Sequence, residues 1–299
     1  SGSISDALVS GGDSMVGRMV RLPLFSLSFV EFLLSRGIEI NAVDLKNIFL
    51  PSTRDVLQEK TSVLSAQLNT YLLQRGYPAT IRYSPDQLKT FFPSIEAAFL
   101  EKDLLGKIRE GQIDNLRKLM IFLAKRVGSP VAVNNIANEL GIDSKTVKRL
   151  LDILRYSYWI EIVYSQTEYG SEFKDKFKVY FYDTGLRNFL AGETDIGSGP
   201  VLENAVFGII RRYLSYFQSG DDISFWRQYD GSEVDFIAHV NREAIAIEVK
   251  NQKMERIKFP TPVVRLIQTK KISRAFIVNQ NFWGEEKIGD VPIYFVPAY

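Results

Sequence analysis

Apolar residues recur at helical spacing through the first 111 positions of the chain. A stripe of leucines predicts a helix over residues 54–75. The spacing of Ser28 and Glu31 is that of a capping box and predicts the start of an earlier helix. A later helix is expected from residue 85, with an interruption at Pro93, because proline lacks the N–H that a helix interior requires.

Residues 112–183 have a different pattern of apolar and polar positions. Helices are predicted over residues 115–126, 133–140 and 145–156, with Gly141 in the turn between the last two. Two strands follow, with the sequences WIEIVYS and FKVYFYD, and a polar loop joins them. A helix, a glycine-containing turn and a second helix, followed by two strands, is the pattern of a winged helix.

Beyond position 184 the pattern is mixed α/β. A helix from Pro200 to about Phe217 precedes strands at ISFWRQY, EVDFIAHV and AIAIEVK, and a helix over residues 262–271 precedes strands at RAFIVN and PIYFVPA. The chain is therefore predicted to be an α/β multidomain protein. Its predicted parts are a helical segment at 1–111, a winged helix at 112–183 and an α/β domain with a central mixed sheet at 184–299.

The amino-acid composition limits the possible catalytic groups and metal ligands more than it limits the possible folds. The chain has 299 residues, of which 45% are hydrophobic and 24% charged, with a formal net charge of +2. It has no cysteine and one histidine, His239, which excludes disulfides, thiolate zinc sites, cysteine nucleophiles and histidine-based metal clusters. Metal chemistry would have to use carboxylates, which favours Mg²⁺ or Mn²⁺. No apolar run predicts a membrane span, and the lack of cysteine favours a cytoplasmic location.

The predicted third helix of the winged helix carries candidate DNA contacts near its N-terminus. Its apolar residues leave a polar face consisting of Ser144, Lys145, Thr146, Lys148 and Arg149. Such a face suits phosphate and base contacts in a major groove. The alternative is a solvated face on a winged helix that acts as a spacer or protein contact. The loop between the two strands carries Lys174, Lys176 and Lys178, whose charges are balanced by three acidic residues in the same loop.

The segment from Glu233 to Lys250 holds the strongest candidate for catalysis. Glu248 and Lys250 are two residues apart on a strand and therefore point to the same face. If the hairpin turns at Asn241-Arg242, Asp235 lies directly opposite Glu248. Two carboxylates and an ammonium would then share one patch. The alternative is a surface hairpin with an ordinary cross-strand pairing of lysine with acids.

A third carboxylate, Glu203, falls on the apolar stripe of the helix that begins at Pro200. A carboxylate on a buried face needs a partner, and a metal ion at the hairpin would supply one. The alternative is that Glu203 simply interacts with the positive end of the helix dipole. In the metal hypothesis, Glu203, Asp235 and Glu248 hold Mg²⁺ or Mn²⁺ for phosphodiester hydrolysis, and Lys250 orients water or stabilises developing charge.

Asp235, Glu248-Val-Lys250 and the upstream Glu203 resemble the PD-(D/E)xK, restriction-endonuclease-like signature. The chain as a whole resembles a family of archaeal and bacterial ATPases. That family joins an N-terminal AAA-type ATPase domain to a winged helix and a C-terminal nuclease-like domain. The stretches that carry this resemblance are GRMVRLPLFSLSFVEFL, YLLQRGYP, LGIDSKTVKRLLDIL, VYFYDTGLRNFLAG, LENAVF, GSEVDFIA and AIEVK.

The resemblance implies that residues 1–111 are the end of an ATPase domain plus a helical linker. Gly12 and Gly17 have P-loop spacing, but the positions that follow are Arg18 and Met19 instead of lysine and a hydroxyl residue. The resemblance therefore implies that this chain is a piece of a longer protein. It also implies that ATP binds to the longer protein and not to this piece. It also implies a nucleotide-sensing role for Arg18, with a structural arginine at a helix end as the alternative, and assembly of copies through the ATPase portion.

Two functions follow from the sequence. The first is Mg²⁺- or Mn²⁺-dependent DNA cleavage, in which Asp235, Glu248 and Lys250 are catalytic. The second is a non-catalytic module that binds nucleic acid or a protein partner within an ATP-driven machine, because a fold does not fix a function.

Overall fold

The structure is a computed structural model that describes residues 24–38, 57–74, 76–104, 108, 110–166, 176–193, 198–217 and 222–299. Arg18 and the two glycines with P-loop spacing lie outside the described residues. The nucleotide-sensing role of Arg18 therefore stays a prediction.

Helices make up the described part of the first 104 residues. They are α1 (Phe29–Ser35), α2 (Thr61–Gln74), a 3₁₀ turn (Pro78–Arg82), α3 (Pro85–Ala98) and a π-helical turn (Phe99–Asp103). The predicted capping box is confirmed, because Glu31 N donates to Ser28 Oγ and Ser28 N donates to the Glu31 carboxylate. The predicted interruption at Pro93 is wrong, since α3 continues through it. Phe92 and Phe99 are both buried in the core, and this packing outweighs the cost of the proline.

The middle of the chain forms three helices and two long strands. Its elements are α4 (Glu110–Lys125), β1 (Val131–Ala132), α5 (Val133–Leu140), α6 (Ser144–Tyr156), β2 (Ile160–Gln166), β3 (Lys176–Phe181) and α7 (Thr184–Ala191). Gly141 ends α5 in the left-handed conformation that glycine favours, and the Asp143 side chain caps α6.

The remaining elements alternate between helices and strands. They are α8 (Gly199–Phe217), β4 (Ile223–Arg227), β5 (Glu233–Val240), β6 (Glu243–Val249), α9 (Thr261–Thr269), β7 (Arg274–Asn279), β8 (Gly284–Ile288) and β9 (Val291–Pro297). The turn between β5 and β6 lies at Asn241-Arg242, as predicted, and both residues have positive φ angles. The sequence did not predict β1 or β8.

All nine described strands belong to one mixed sheet, in the order β1-β3-β2-β4-β5-β6-β7-β9-β8. Pairing is parallel between β2 and β4, β6 and β7, and β7 and β9, and antiparallel elsewhere. The mixed α/β class is therefore confirmed. Strands β2 and β3, which the sequence assigns to a winged helix, extend the same sheet that contains the β5–β6 hairpin.

The main hydrophobic core also crosses the predicted boundary between residues 183 and 184. It contains Leu150 of α6, Phe181 of β3, Phe207 of α8 and Phe236 of β5 in one cluster. A second cluster packs α9, through Val263 and Leu266, against the other half of the sheet. The shared core holds α8 and β3 at fixed positions beside the hairpin. No helix within the described residues is long and apolar enough to cross a membrane.

Candidate functional site

The β5–β6 hairpin brings Asp235 and Glu248 together as the sequence predicts. Phe236 pairs with Ile247, and this register puts Asp235 opposite Glu248. Asp235 N lies 3.3 Å from Glu248 Oε2, and Val249 N donates to Asp235 Oδ2 at 2.8 Å. The backbone of the hairpin therefore fixes the orientation of both carboxylates.

Lys250 completes the predicted trio at the rim of the site. Its Nζ lies 2.5 Å from Glu248 Oε1. The Glu248 side chain is only 3% exposed, whereas that of Lys250 is 38% exposed. The Glu248 carboxylate is therefore buried beside an ammonium that solvent can reach.

Glu203 also reaches this site from α8. Its Oε1 accepts hydrogen bonds from Tyr180 Oη at 2.5 Å and from Lys178 Nζ at 3.1 Å. The Tyr180 ring stacks on Phe207 with ring centroids 4.8 Å apart, which ties β3 to α8. Glu203 thus has two protein donors, one of which is a buried lysine.

Lys178 is the residue that the sequence interpretation misplaced. The sequence predicts it in the loop between two strands, but it lies on β3 and its side chain is 1% exposed. Its Nζ lies 2.6 Å from Glu233 Oε1, 3.1 Å from Glu203 Oε1 and 3.5 Å from Asp235 Oδ1. A buried lysine needs such partners, because an unpaired charge in the interior is very costly. A lysine inside the apolar run FKVYF was the signal that could have identified it.

Glu233 is the second residue that sequence reasoning missed. It lies at the start of β5. Its Oε1 contacts Lys178 Nζ, and its Oε2 pairs with Arg227 Nη1 at 2.7 Å. The carboxylate-lysine cluster is defined here as Glu203, Glu233, Asp235, Glu248, Lys178, Lys250 and Arg227. Four carboxylates face three cations, so the cluster has a formal charge of −1 when every group is ionised.

Two acids of the cluster, Glu203 and Glu248, have raised pKa values, chiefly because they are buried. Burial, together with repulsion from Asp235, raises the pKa of Glu203 to about 7 and that of Glu248 to about 7. Burial alone would lower the pKa of Lys178, but the charges of its three carboxylate partners outweigh this effect and raise it. Lys178 therefore stays charged, while the carboxylates would gain from another cation.

In the part of the chain that the structure describes, no group of three or more histidine, cysteine, aspartate or glutamate side chains is arranged to hold a metal ion on its own. The predicted set of Glu203, Asp235 and Glu248 is close together, but the Lys178 ammonium contacts two of its members. Asp235 and Glu248 remain as an adjacent pair of oxygen donors. A metal-binding role for Glu203 stays a prediction.

The candidate DNA contacts on α6 divide into two groups. Thr146 is engaged by the N-cap, because its N donates to Asp143 Oδ1 at 2.9 Å, and Ser144 Oγ donates to Asn134 Oδ1 at 2.8 Å. The three cationic residues in the first two turns of this helix, namely Lys145, Lys148 and Arg149, are exposed. Their side chains form a positive surface at the N-terminal half of α6.

Comparisons with known proteins give families without an assigned function. Two family models match, each described as a domain of unknown function: DUF8612 over residues 65–196 and DUF4143 over residues 198–297. An uncharacterized protein of Haemophilus influenzae is 21% identical over 290 residues, which cover 94% of this chain and 64% of that relative. The chain thus spans a little under two thirds of the relative's length. Lys178 falls in the first matched segment and the other members of the cluster fall in the second, so the cluster combines residues from both matched segments.

Proposed function

We propose that this protein is a divalent-cation-dependent phosphodiester hydrolase that acts on DNA, with Asp235, Glu248 and Lys250 as its catalytic residues. The observation that carries the proposal is the contact chain from Asp235 through Glu248 to Lys250. Two backbone N–H groups fix the carboxylates, and an ammonium lies at their solvent side. Aligned carboxylates beside a lysine are the chemistry that metal-assisted phosphodiester hydrolysis requires.

The residues of the cluster fit a hard divalent cation. Among the described residues, each carboxylate oxygen of Asp235 and Glu248 has one polar partner, and such an oxygen can accept two. Mg²⁺ is commonly held by one or two carboxylates and keeps several of its waters, so this pair suffices. The carboxylates of the cluster outnumber its cations by four to three, which also favours a cation there. Bound Mg²⁺ or Mn²⁺ would act as a Lewis acid and lower the pKa of a bound water.

The chain's own residues then perform orientation and charge stabilisation. The Val249 N–H holds the Asp235 carboxylate in place, and the Asp235 N–H does the same for Glu248. The Lys250 ammonium is half-exposed, so it can donate a hydrogen bond to the attacking water or to the phosphoryl oxygen where negative charge develops. Its backbone N–H is anchored to Val278 O at 2.8 Å, which keeps the lysine at the strand end.

The positive surface of α6 is the reason for proposing DNA as the substrate. Lys145, Lys148 and Arg149 project from the first two turns of a helix whose opposite face, with Val147 and Leu150, is buried. In a winged helix this helix enters the major groove, and its cations neutralise phosphates. The winged-helix assignment is part of the proposal, as is any ATP-dependent role of a longer protein.

A cleavage assay tests the proposal. Labelled duplex, single-stranded and branched DNA are incubated with the protein and Mg²⁺ or Mn²⁺, beside Asp235→Asn and Glu243→Gln. Glu243 lies on the same hairpin, is 47% exposed and pairs with Arg274 outside the cluster, which makes it a matched control. Cleavage that needs the cation, is lost in Asp235→Asn and persists in Glu243→Gln would support the proposal. Cleavage that persists at the same rate in Asp235→Asn would refute it.

One observation favours a second function, a non-catalytic DNA-binding module. Lys178 already supplies a cation to three of the four carboxylates, as expected of a cluster kept for stability. This alternative predicts DNA binding that weakens steeply with salt, with no turnover under any divalent cation.

A further inference from the structure

Lys178 differs from the other cations of the cluster because it has no route to solvent. Its side chain is 1% exposed, and its Nζ lies 5.4 Å from the centre of the Phe225 ring, which covers one side. Lys250 at the rim is 38% exposed. A cation that enters the site from solvent can therefore displace the ammonium of Lys250 far more easily than that of Lys178.

The two acids closest to the Lys178 ammonium also interact with other groups of the protein. Glu203 Oε1 accepts from both Lys178 and Tyr180, and its Oε2 lies against Gly128, where even a Cβ atom would come within 2.9 Å. Glu233 is shared between Lys178 and Arg227. By contrast, Asp235 faces Lys178 only at 3.5 Å. Glu203 and Glu233 therefore have closer cationic partners within the protein than Asp235 has, and Asp235 gains more from a cation that enters the site.

We infer that Lys178 is a built-in counter-ion that confines a divalent cation to the Asp235–Glu248 edge of the cluster and keeps Glu203 and Glu233 out of its coordination shell. This inference rests on the metal site of the proposed function. It makes Lys178 a positioning residue, because it acts through the carboxylates and touches no substrate. It also reverses the metal-binding role that the sequence predicts for Glu203.

Lys178 should also lower the affinity of the site for metal. A fixed positive charge close to the site opposes the entry of a divalent ion. When this charge is removed and the shape is kept, as in Lys178→Met, Glu203 is released as a ligand and the carboxylates lose their internal competitor. The affinity for the metal should then rise, and the gain should depend on Glu203.

The test is equilibrium binding of Mn²⁺ to the metal-stripped full chain, followed by calorimetry and by the electron paramagnetic resonance signal of free Mn²⁺. We expect Asp235→Asn to abolish binding and Glu203→Gln to change the affinity by less than about threefold. We expect Lys178→Met to bind Mn²⁺ about tenfold more tightly or better, and Lys178→Met/Glu203→Gln to return to the wild-type value.

Glu203→Gln keeps acceptors for Tyr180 and Lys178, so this arm decides the question even if Lys178→Met does not fold. A loss of affinity in Glu203→Gln as large as that in Asp235→Asn would overturn the inference and leave the metal-dependent function standing. Binding by Lys178→Met but not by wild type would overturn the inference together with the proposed function, because the native protein would then hold no cation for Lys178 to confine. Absence of Mn²⁺ binding in both proteins would overturn both.

Discussion

Gly128 lies directly against the carboxylate of Glu203. The residue has a φ angle of +74°, and a Cβ built at its position would come within 2.9 Å of both carboxylate oxygens. Its N–H contacts Val179 O on β3, next to Lys178. Glycine is therefore favoured here for two reasons. The backbone is in the left-handed region, and the Glu203 carboxylate, which Tyr180 and Lys178 hold by hydrogen bonds, leaves no room for a Cβ atom.

Gly128→Ala should destabilise the protein by more than the usual cost of a left-handed alanine. That cost is about 1–2 kcal/mol, and displacement of Glu203 adds to it. Gly141→Ala is the matched control, because Gly141 has a φ angle of +67° and nothing within 4 Å of a Cβ. Urea unfolding of both variants measures the difference. Equal losses of unfolding free energy would show that the proximity of Glu203 has no energetic weight.

Stability in the absence of divalent cations should fall as pH rises from about 5 to about 8. Burial, together with repulsion from Asp235, raises the pKa of Glu203 and of Glu248 to about 7, above the ordinary 4.5. The native state therefore holds protons that the unfolded chain has already released, and this stabilisation disappears as pH rises through the native pKa values. The loss should be about 5 kcal/mol for the two groups together, because each pKa unit between the native and unfolded states is worth about 1.4 kcal/mol for each group.

The double variant Glu203→Gln/Glu248→Gln isolates this effect, since other titrating groups are common to both proteins. Its unfolding free energy, followed by urea titration across the same pH range, should fall less steeply than that of wild type. Parallel pH profiles for the two proteins would mean that neither carboxyl group titrates abnormally.

The hairpin half of the site was predictable because its constraints are local. A two-residue turn at Asn241-Arg242 fixes the register, and the register fixes the facing of Asp235 and Glu248. Glu203 was also predictable, because its position on the apolar stripe of α8 directs it inward. In these cases the regular spacing of side chains along a strand or helix predicts which face each residue occupies.

The apolar run FKVYF indicates that Lys178 is buried, but its carboxylate partners were not predictable because the order of strands in a sheet is not a local property. The pairing of β2 with β4 brings strands of the predicted winged helix into the sheet of the hairpin. Two segments interpreted as separate domains therefore share one core and one ionic cluster. The sequence interpretation assigned Lys178 to a loop, where lysines are normally solvated.

The turn at Asn241-Arg242 offers a test of the hairpin itself. Arg242 has a φ angle of +69°, which glycine adopts without steric cost. Arg242→Gly should therefore stabilise the protein by about 0.5–1 kcal/mol, whereas Arg242→Ala should give no gain. Thermal unfolding of the two variants against wild type provides the comparison. Stabilisation by alanine equal to that by glycine would point to removal of the arginine side chain as the cause.

DNA affinity should depend on the exposed cations of α6 more than on cations elsewhere. Arg149→Glu reverses a charge on the proposed contact helix. Lys287→Glu makes the same charge reversal on β8 and serves as the control. Strand β8 forms one edge of the sheet, and the short β1 forms the other. If α6 lies along the DNA, Arg149→Glu should weaken binding about tenfold or more near physiological salt, while Lys287→Glu should have little effect. The slope of log affinity against log salt should also become shallower, by about one unit for each phosphate that the protein no longer neutralises, for Arg149→Glu alone. Fluorescence anisotropy of a labelled duplex at several salt concentrations measures both quantities. Equal weakening in the two variants would mean that the DNA responds only to net charge, and the assignment of α6 as the contact helix would then be wrong.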